Sequence, residues 1–407
     1  MSSMNTVAMM SSIADVGRDA QRGGYSRPVF STAELELRSW FTEQAEKRGL
    51  EVETDRNGAL WAWLDAPGKE RTDVVVTGSH LDSVPGGGAF DGPLGVASAL
   101  AAVDTLRERG HRLERPLAVA VFPEEEGSRF GLACLGSGLM AGTVDRDRAL
   151  ALRDDDGNTL ADLARGAGID PTYMGHDPAR LARIGAFVEL HVEQGRGLVD
   201  LDHPVAVATS ILGHGRWRVR VTGQGNHAGT TAMDDRRDPM AAAAGIILAA
   251  QDAARAVPEA RATVGKLRPV PGGANVIAST VDLWLDIRHP DDAAVNALLA
   301  TITARVTEIA AAQGCAAEVT AESYSPTAHF HAGLRDQLSA SLPGAPLLPT
   351  GAGHDAGVLA PHIPTGMLFV RNPSGISHSP EEYAEDTDVE SGTAALADVL
   401  VDLTSKA

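Results

Sequence analysis

Val74-Val75-Val76-Thr77-Gly78-Ser79-His80 is the stretch on which the fold turns. Val74 to Thr77 is β-branched and apolar throughout, as in a strand buried on both faces, and the chain leaves it into a histidine. Pro93 to Arg109 follows as a helix, with proline at its start and Gly110 past its end. Leu117 to Phe122 repeats the buried-strand pattern and ends in Pro123-Glu124-Glu125-Glu126-Gly127. Ala186 to Leu190 repeats it again and ends in His191-Val192-Glu193-Gln194-Gly195. Apolar strands separated by helices predict an α/β domain on a mainly parallel sheet.

From about residue 212 the texture changes. Arg216-Trp217-Arg218-Val219-Arg220-Val221 alternates, as a strand with one solvated face does. A helix over Pro239–Ala256, strands over Arg261–Leu267 and Val281–Arg288, a helix over Asp292–Gln313 and a strand over Ala317–Ser323 complete the pattern. The order β-α-β-β-α-β is that of a ferredoxin-like α+β domain. Trp217 and Trp284 are expected to pack inside it. Apolar α/β texture returns from Ser325, with Met367–Val370 as a strand. Residues 212–324 therefore read as a domain inserted into a discontinuous one made of residues 1–211 and 325–407.

At 407 residues two domains are expected, and 43% apolar with 22% charged residues is an ordinary globular composition. Against 54 acidic residues stand 35 basic ones, a formal charge of −19 that argues against nucleic acid and anionic membranes as partners. No uninterrupted apolar run approaches the roughly 20 residues that span a bilayer. Met1 to Val16 lacks the basic-then-apolar pattern of a secretory leader. Cys134 and Cys315 make neither a disulfide framework nor a CxxC site, which fits a reducing cytoplasm.

The polar residues cluster by position. In an open parallel sheet, ligands bind beyond the carboxyl ends of the strands. His80, Glu125-Glu126 and His191 each follow a predicted strand, and Asp91 lies in the glycine-rich loop Pro85–Gly92 before the helix. Taken singly, a histidine or a run of glutamates is usually solvated. Three strand ends converging on histidines and carboxylates suit zinc, manganese or cobalt, without the thiolates of a structural zinc site.

Thr77-Gly78-Ser79-His80-Leu81-Asp82-Ser83-Val84 with Gly87-Gly88-Ala89-Phe90-Asp91-Gly92 resembles the metal loop of the zinc-dependent exopeptidase superfamily, which includes aminoacylases. Glu125-Glu126-Gly127-Ser128-Arg129-Phe130 and Glu189–Gly195 are similar to its ureido-hydrolysing branch, the hydantoinase/carbamoylase family. That branch holds N-carbamoyl-L-amino acid hydrolases, β-ureidopropionases and allantoate amidohydrolases. Matches continue through Gly225–Thr231, Gly273–Val276, Gly351–Ala356 and Gly375–Glu382.

The resemblance implies two divalent metal ions per subunit, bridged by Asp91. His80 and His191 would share one, Glu126 and His378 the other, with Glu125 as general base. It also implies a homodimer whose inserted domain serves as lid and dimerisation surface. His227, in a partner's lid, would donate to the oxyanion. Gln194, Asn275 and Arg288 would bind the substrate, Arg288 by a planar fork suited to a carboxylate. Asp82 would orient His80. The role of His354 and Asp355 stays open, and His111, His203, His289, His329, His331 and His362 are expected in solvent.

The expected reaction is hydrolysis of a terminal ureido group of a small carboxylic acid. Allantoate is favoured by Gly375-Ile376-Ser377-His378, ahead of N-carbamoyl-L-amino acids and N-carbamoyl-β-alanine. An aminoacylase or dipeptidase keeps the chemistry, but Glu193-Gln194-Gly195 argues against it. A catalytically silent binding protein is disfavoured because Glu125 and all five candidate ligands are present.

Overall fold

The structure, a computed structural model, describes residues 5–405. Residues 1–4 and 406–407, the ends of the expected larger domain, lie outside the described residues. The chain forms two compact units, Met1–Ser210 with His329–Ala407 and Ile211–Ala328.

Along the chain run β1 (Glu51–Thr54), β2 (Leu60–Leu64), β3 (Val74–His80), α1 (Pro93–Glu108), β4 (Leu117–Phe122), β5 (Ile184–Val192) and β6 (Val205–Ile211). Next come β7 (Gly213–Thr222), α2 (Pro239–Arg255), β8 (Arg261–Val270), β9 (Thr280–His289), α3 (Asp292–Ala312) and β10 (Ala316–Ser325). The chain then returns to the larger unit with β11 (Thr365–Val370) and α4 (Asp386–Thr404).

In the larger unit β4, β3, β5 and β11 lie side by side, all parallel. Antiparallel β2 and β1 extend one side and antiparallel β6 the other, so the sheet is mixed with a parallel centre. The central strands are buried on both faces, as their apolar runs require. α1 and α4 pack on each other and fill one side with Leu94, Leu100, Leu396 and Leu400. From β3 the chain crosses to β4 on one side, then back past β3 to β5 on the other. The strand order thus reverses at β3 and β5, where an open α/β sheet leaves a crevice beyond its carboxyl ends.

Two strands outrun the sequence reading, and both matter. β3 continues to His80, paired with Phe122, and β5 continues to Val192, because β11 carries the ladder through His191 opposite Phe369. His80 and His191 are therefore held by sheet hydrogen bonding, not by loops.

The smaller unit is an antiparallel sheet in the order β10-β7-β9-β8 with α2 and α3 packed on it. Trp217, Val219 and Val221 alternate into that core, while Arg216, Arg218 and Arg220 face away. Trp284 is a correction. It shares its strand face with Asp282 and Asp286 and lies under Lys266, whose ammonium is 4.5 Å from the ring centre. α3, at 21 residues and a mean hydropathy of 1.2, is long and apolar enough to cross a membrane. Its Val295, Leu298, Ile302, Val306 and Ala310 instead repeat at helical spacing and pack in the unit's core.

Candidate metal centre and active site

The switch point of the sheet presents His80 and His191, both buried, with ring centres 5.8 Å apart. Their Nδ1 atoms donate to the main-chain carbonyls of Asp82 and Val192, each at 3.0 Å. A neutral imidazole with Nδ1–H so engaged turns the lone pair of Nε2 outward. Both Nε2 atoms are buried without a hydrogen-bond partner and lie 3.4 and 3.2 Å from Asp91 Oδ1. Asp91 Oδ2 lies 3.5 Å from His378 Nε2, which is 3.3 Å from Glu126 Oε2. Two donor groups result, His80–Asp91–His191 and Asp91–Glu126–His378, each with its ligand atoms within 4.8 Å of one another.

This set fits a metal cation. Orphaned imidazole nitrogens aimed at one carboxylate leave lone pairs facing a negative charge, an arrangement that a cation satisfies. The backbone has been shaped around the set. Gly92 has φ 86°, and a Cβ there would stand 2.5 Å from the His80 ring. His378 itself adopts φ 56°, uncommon for a non-glycine residue and frequent at functional sites.

Asp82 serves His80 and the two glutamates by different atoms. Its main-chain carbonyl orients His80, whereas its carboxylate oxygens accept the N–H groups of Glu125 and Glu126 at 3.2 and 3.1 Å. One buried acid therefore fixes the two adjacent glutamates. Glu125 is buried, with Oε2 3.8 Å from His80 Nε2, and burial drives its carboxyl well above the ordinary range. Glu126 turns the other way, to His378. Gln194 donates to Asp91 Oδ2 and to Ser377, both at 2.9 Å, so its amide reaches the same carboxylate.

Other members of the site were not singled out from the sequence. Glu382 accepts the N–H groups of Phe90 and Asp91 at 3.1 and 3.0 Å and receives the Ser377 hydroxyl, which anchors the loop carrying Asp91. Glu189 accepts from Ser79 and from the Ala356 N–H. Its position inside an otherwise apolar strand, two residues before His191 and so on the same face, was the available signal. His354 and Asp355, which the sequence does name with their role open, lie beside these: His354 packs 4.5 Å from the His191 ring with an unpartnered Nε2, and Ser137 donates to Asp355. Glu193 is structural: it accepts from the N–H groups of Gly197 and Leu198.

His227, Asn275 and Arg288 belong to the smaller unit. Asn226–His227 pairs with Val276–Ile277 in a short ribbon, and the Asn275 carbonyl accepts from Ala228. His227 Nδ1 accepts from the N–H groups of Gly229 and Thr230 at 3.0 and 3.2 Å, which leaves the ring proton on an exposed Nε2. Arg288 lies at the far end of β9, and its fork engages Asp286 at 2.8 and 3.2 Å. Of the background histidines, His331 caps a helix through Leu334, and His203 bonds the Val205 carbonyl at 2.6 Å.

The sequence matches peptidase family M20/M25/M40 over residues 76–402. An N-carbamoyl-L-amino acid amidohydrolase of Geobacillus stearothermophilus is 36% identical across 94% of both chains. An allantoate amidohydrolase of Bacillus subtilis is 33% identical over 96% of this chain and 95% of its own. The crystal structure of a hydantoinase/carbamoylase family amidase from Burkholderia multivorans is similar at a TM-score of 0.86 and 30% identity, covering 98% of this chain and 97% of that one. With the strand-end histidines, the shared aspartate and the paired glutamates all inside the matched span, the chain belongs to peptidase family M20/M25/M40 and is an amidohydrolase acting on non-peptide carbon–nitrogen bonds of linear amides.

Proposed function

We propose that this enzyme hydrolyses the terminal ureido group of a small carboxylic acid, releasing ammonia and carbon dioxide. The observation that carries the reading is Asp91, one carboxylate facing two separate donor sets. His80, His191 and Asp91 would hold one divalent cation, and Asp91, Glu126 and His378 a second. The family is metal-dependent, and a nitrogen and oxygen set admits zinc, manganese or cobalt. Such cations supply Lewis acidity and bring water into range as a nucleophile near neutral pH.

The chain's own groups do the rest. Glu125 takes the proton from the attacking water and returns it to the leaving nitrogen, a role suited to a buried carboxylate of raised basicity. Asp82 keeps Glu125 and Glu126 at a fixed separation. His227, with its proton on Nε2, donates to the developing oxyanion. Gln194 and Asn275 hydrogen-bond the substrate, and Arg288, its plane held by Asp286, receives the substrate carboxylate. The smaller unit would serve as lid and dimerisation domain, with His227 supplied by the partner of a homodimer, in the cytoplasm.

Within this class allantoate remains the substrate proposed from Gly375–His378. N-carbamoyl-L-amino acids are the second reading, favoured by relatives of that name at 36% and 34% identity. The test is product release from allantoate, several N-carbamoyl-L-amino acids, N-carbamoyl-β-alanine and an N-acetyl amino acid by enzyme stripped and reloaded with manganese or zinc. Ammonia from ureido acids is expected; acetate alone would make the enzyme an aminoacylase.

A further inference from the structure

Glu125 has a second neighbour that the reaction as described does not use. The thiol of Cys134, a buried residue, donates to Glu125 Oε1 at 3.3 Å. This leaves Oε2 as the oxygen on the His80 side. The contact is built, not incidental. Residues 134–136 run back along residues 123–125, with Cys134 N–H bonded to the Glu125 carbonyl at 2.7 Å, Leu135 to Glu124 at 3.0 Å and Gly136 to Pro123 at 3.1 Å.

Both strands of this clamp bend sharply to make it. Glu124 has φ 55° and Cys134 has φ 52°, left-handed conformations that non-glycine residues keep only where their surroundings enforce them. Gly127, at φ 63°, lets the connecting loop close, since a Cβ there would stand 2.5 Å from Ala133 N. The clamp therefore fixes the Cα positions of Cys134 and Glu125 against each other, and the side-chain contact follows. Burial pushes the thiol well above its ordinary range, so it remains a donor.

We propose that Cys134 is a positioning residue for Glu125: its S–H occupies Oε1 and so presents Oε2 to the reacting water. A thiol is a weak donor, so it can select the carboxylate rotamer while leaving most of its basicity. This rests on the reading of Glu125 as base. The role predicts a loss in kcat with KM, metal content and melting temperature little changed, because Cys134 touches neither substrate nor ligands.

The test uses metal-loaded enzyme with the variants Cys134→Ala, Cys134→Ser, Cys315→Ala and Glu125→Gln. Cys134→Ala is expected to lower kcat about tenfold, the scale of a loosely held catalytic group. Cys134→Ser, which keeps a donor, should recover most of that loss. Infrared absorption supplies a readout independent of turnover. The Cys134 S–H stretch, isolated in Cys315→Ala, is expected at a hydrogen-bonded frequency and should move part of the way toward the free-thiol position when Glu125→Gln is added, because a neutral amide oxygen accepts more weakly than a carboxylate. A Cys134→Ala kcat within about twofold of the parent would overturn the inference, as would equal loss in the serine and alanine variants or a band unmoved by Glu125→Gln. If Cys134→Ala does not fold, the serine variant and the infrared comparison still decide. Turnover by Glu125→Gln would remove the base reading itself; a dead Glu125→Gln beside a normal Cys134→Ala would remove only the positioning role.

Discussion

Asp91 Oδ1 stands 3.2 Å from His191 Nε2, a buried nitrogen without a hydrogen-bond partner whose sister Nδ1 is tied to the Val192 carbonyl. The geometry places a lone pair against a carboxylate, and His80 repeats it from the neighbouring strand at 3.4 Å. Burying such a cluster is costly unless a cation lies within it.

Metal removal should therefore lower stability as well as activity. A cation bound at a large excess over its dissociation constant contributes about 3–4 kcal/mol, so chelation should lower the melting temperature by roughly 5–10 °C. Calorimetry before and after chelation, then with manganese or zinc restored, checks this. An unchanged melting temperature would argue that the donor sets bind no ion.

Glu125→Gln removes the proton acceptor while keeping size and hydrogen bonding. Turnover should fall by about 10²–10⁴, with metal content unchanged. Steady-state ammonia release and elemental analysis of the same sample separate the two quantities.

Asp82 touches no donor atom of either set with its carboxylate, yet it fixes both glutamates through their N–H groups. Asp82→Ala should reduce kcat or metal affinity about 10–100-fold, as loss of a supporting partner does. Asp82→Asn, which keeps one acceptor oxygen, should be milder. Equal kinetics in all three proteins would place the glutamates' orientation elsewhere.

Gly92→Ala tests the close approach of backbone to ligand. With φ 86° and a Cβ 2.5 Å from the His80 ring, even a methyl group must displace the histidine. Loss of metal retention with a folded circular dichroism spectrum is expected; a variant that keeps full metal content would contradict the geometry.

What the sequence made legible follows from pattern strength. The buried runs at β3, β4 and β5 and the proline-to-glycine helix α1 carry their periodicity and punctuation openly. β1, with its half-exposed Glu51–Thr54, does not, and nothing local marks β2 and β6 as the strands that run antiparallel on either side of the parallel centre. Trp284 was misplaced because alternation fixes which residues share a face but not which face is covered. At the site, His80, Asp91, Glu126, His191 and His378 were each named from their motifs, and the structure brings them together. Glu189 and Glu382 act on partners 110 and 291 residues away, which local pattern does not name, and Cys134 reaches Glu125 across a loop of 9 residues whose closure depends on the left-handed backbone at Glu124 and Cys134.

The most direct test of the account is metal stoichiometry measured beside ammonia release for the parent enzyme and Asp91→Asn. The account predicts two ions per chain and ureido-acid hydrolysis in the parent, with both reduced together in Asp91→Asn. A parent active with one ion, or an Asp91→Asn variant that keeps two ions and full turnover, would contradict the central role given to Asp91.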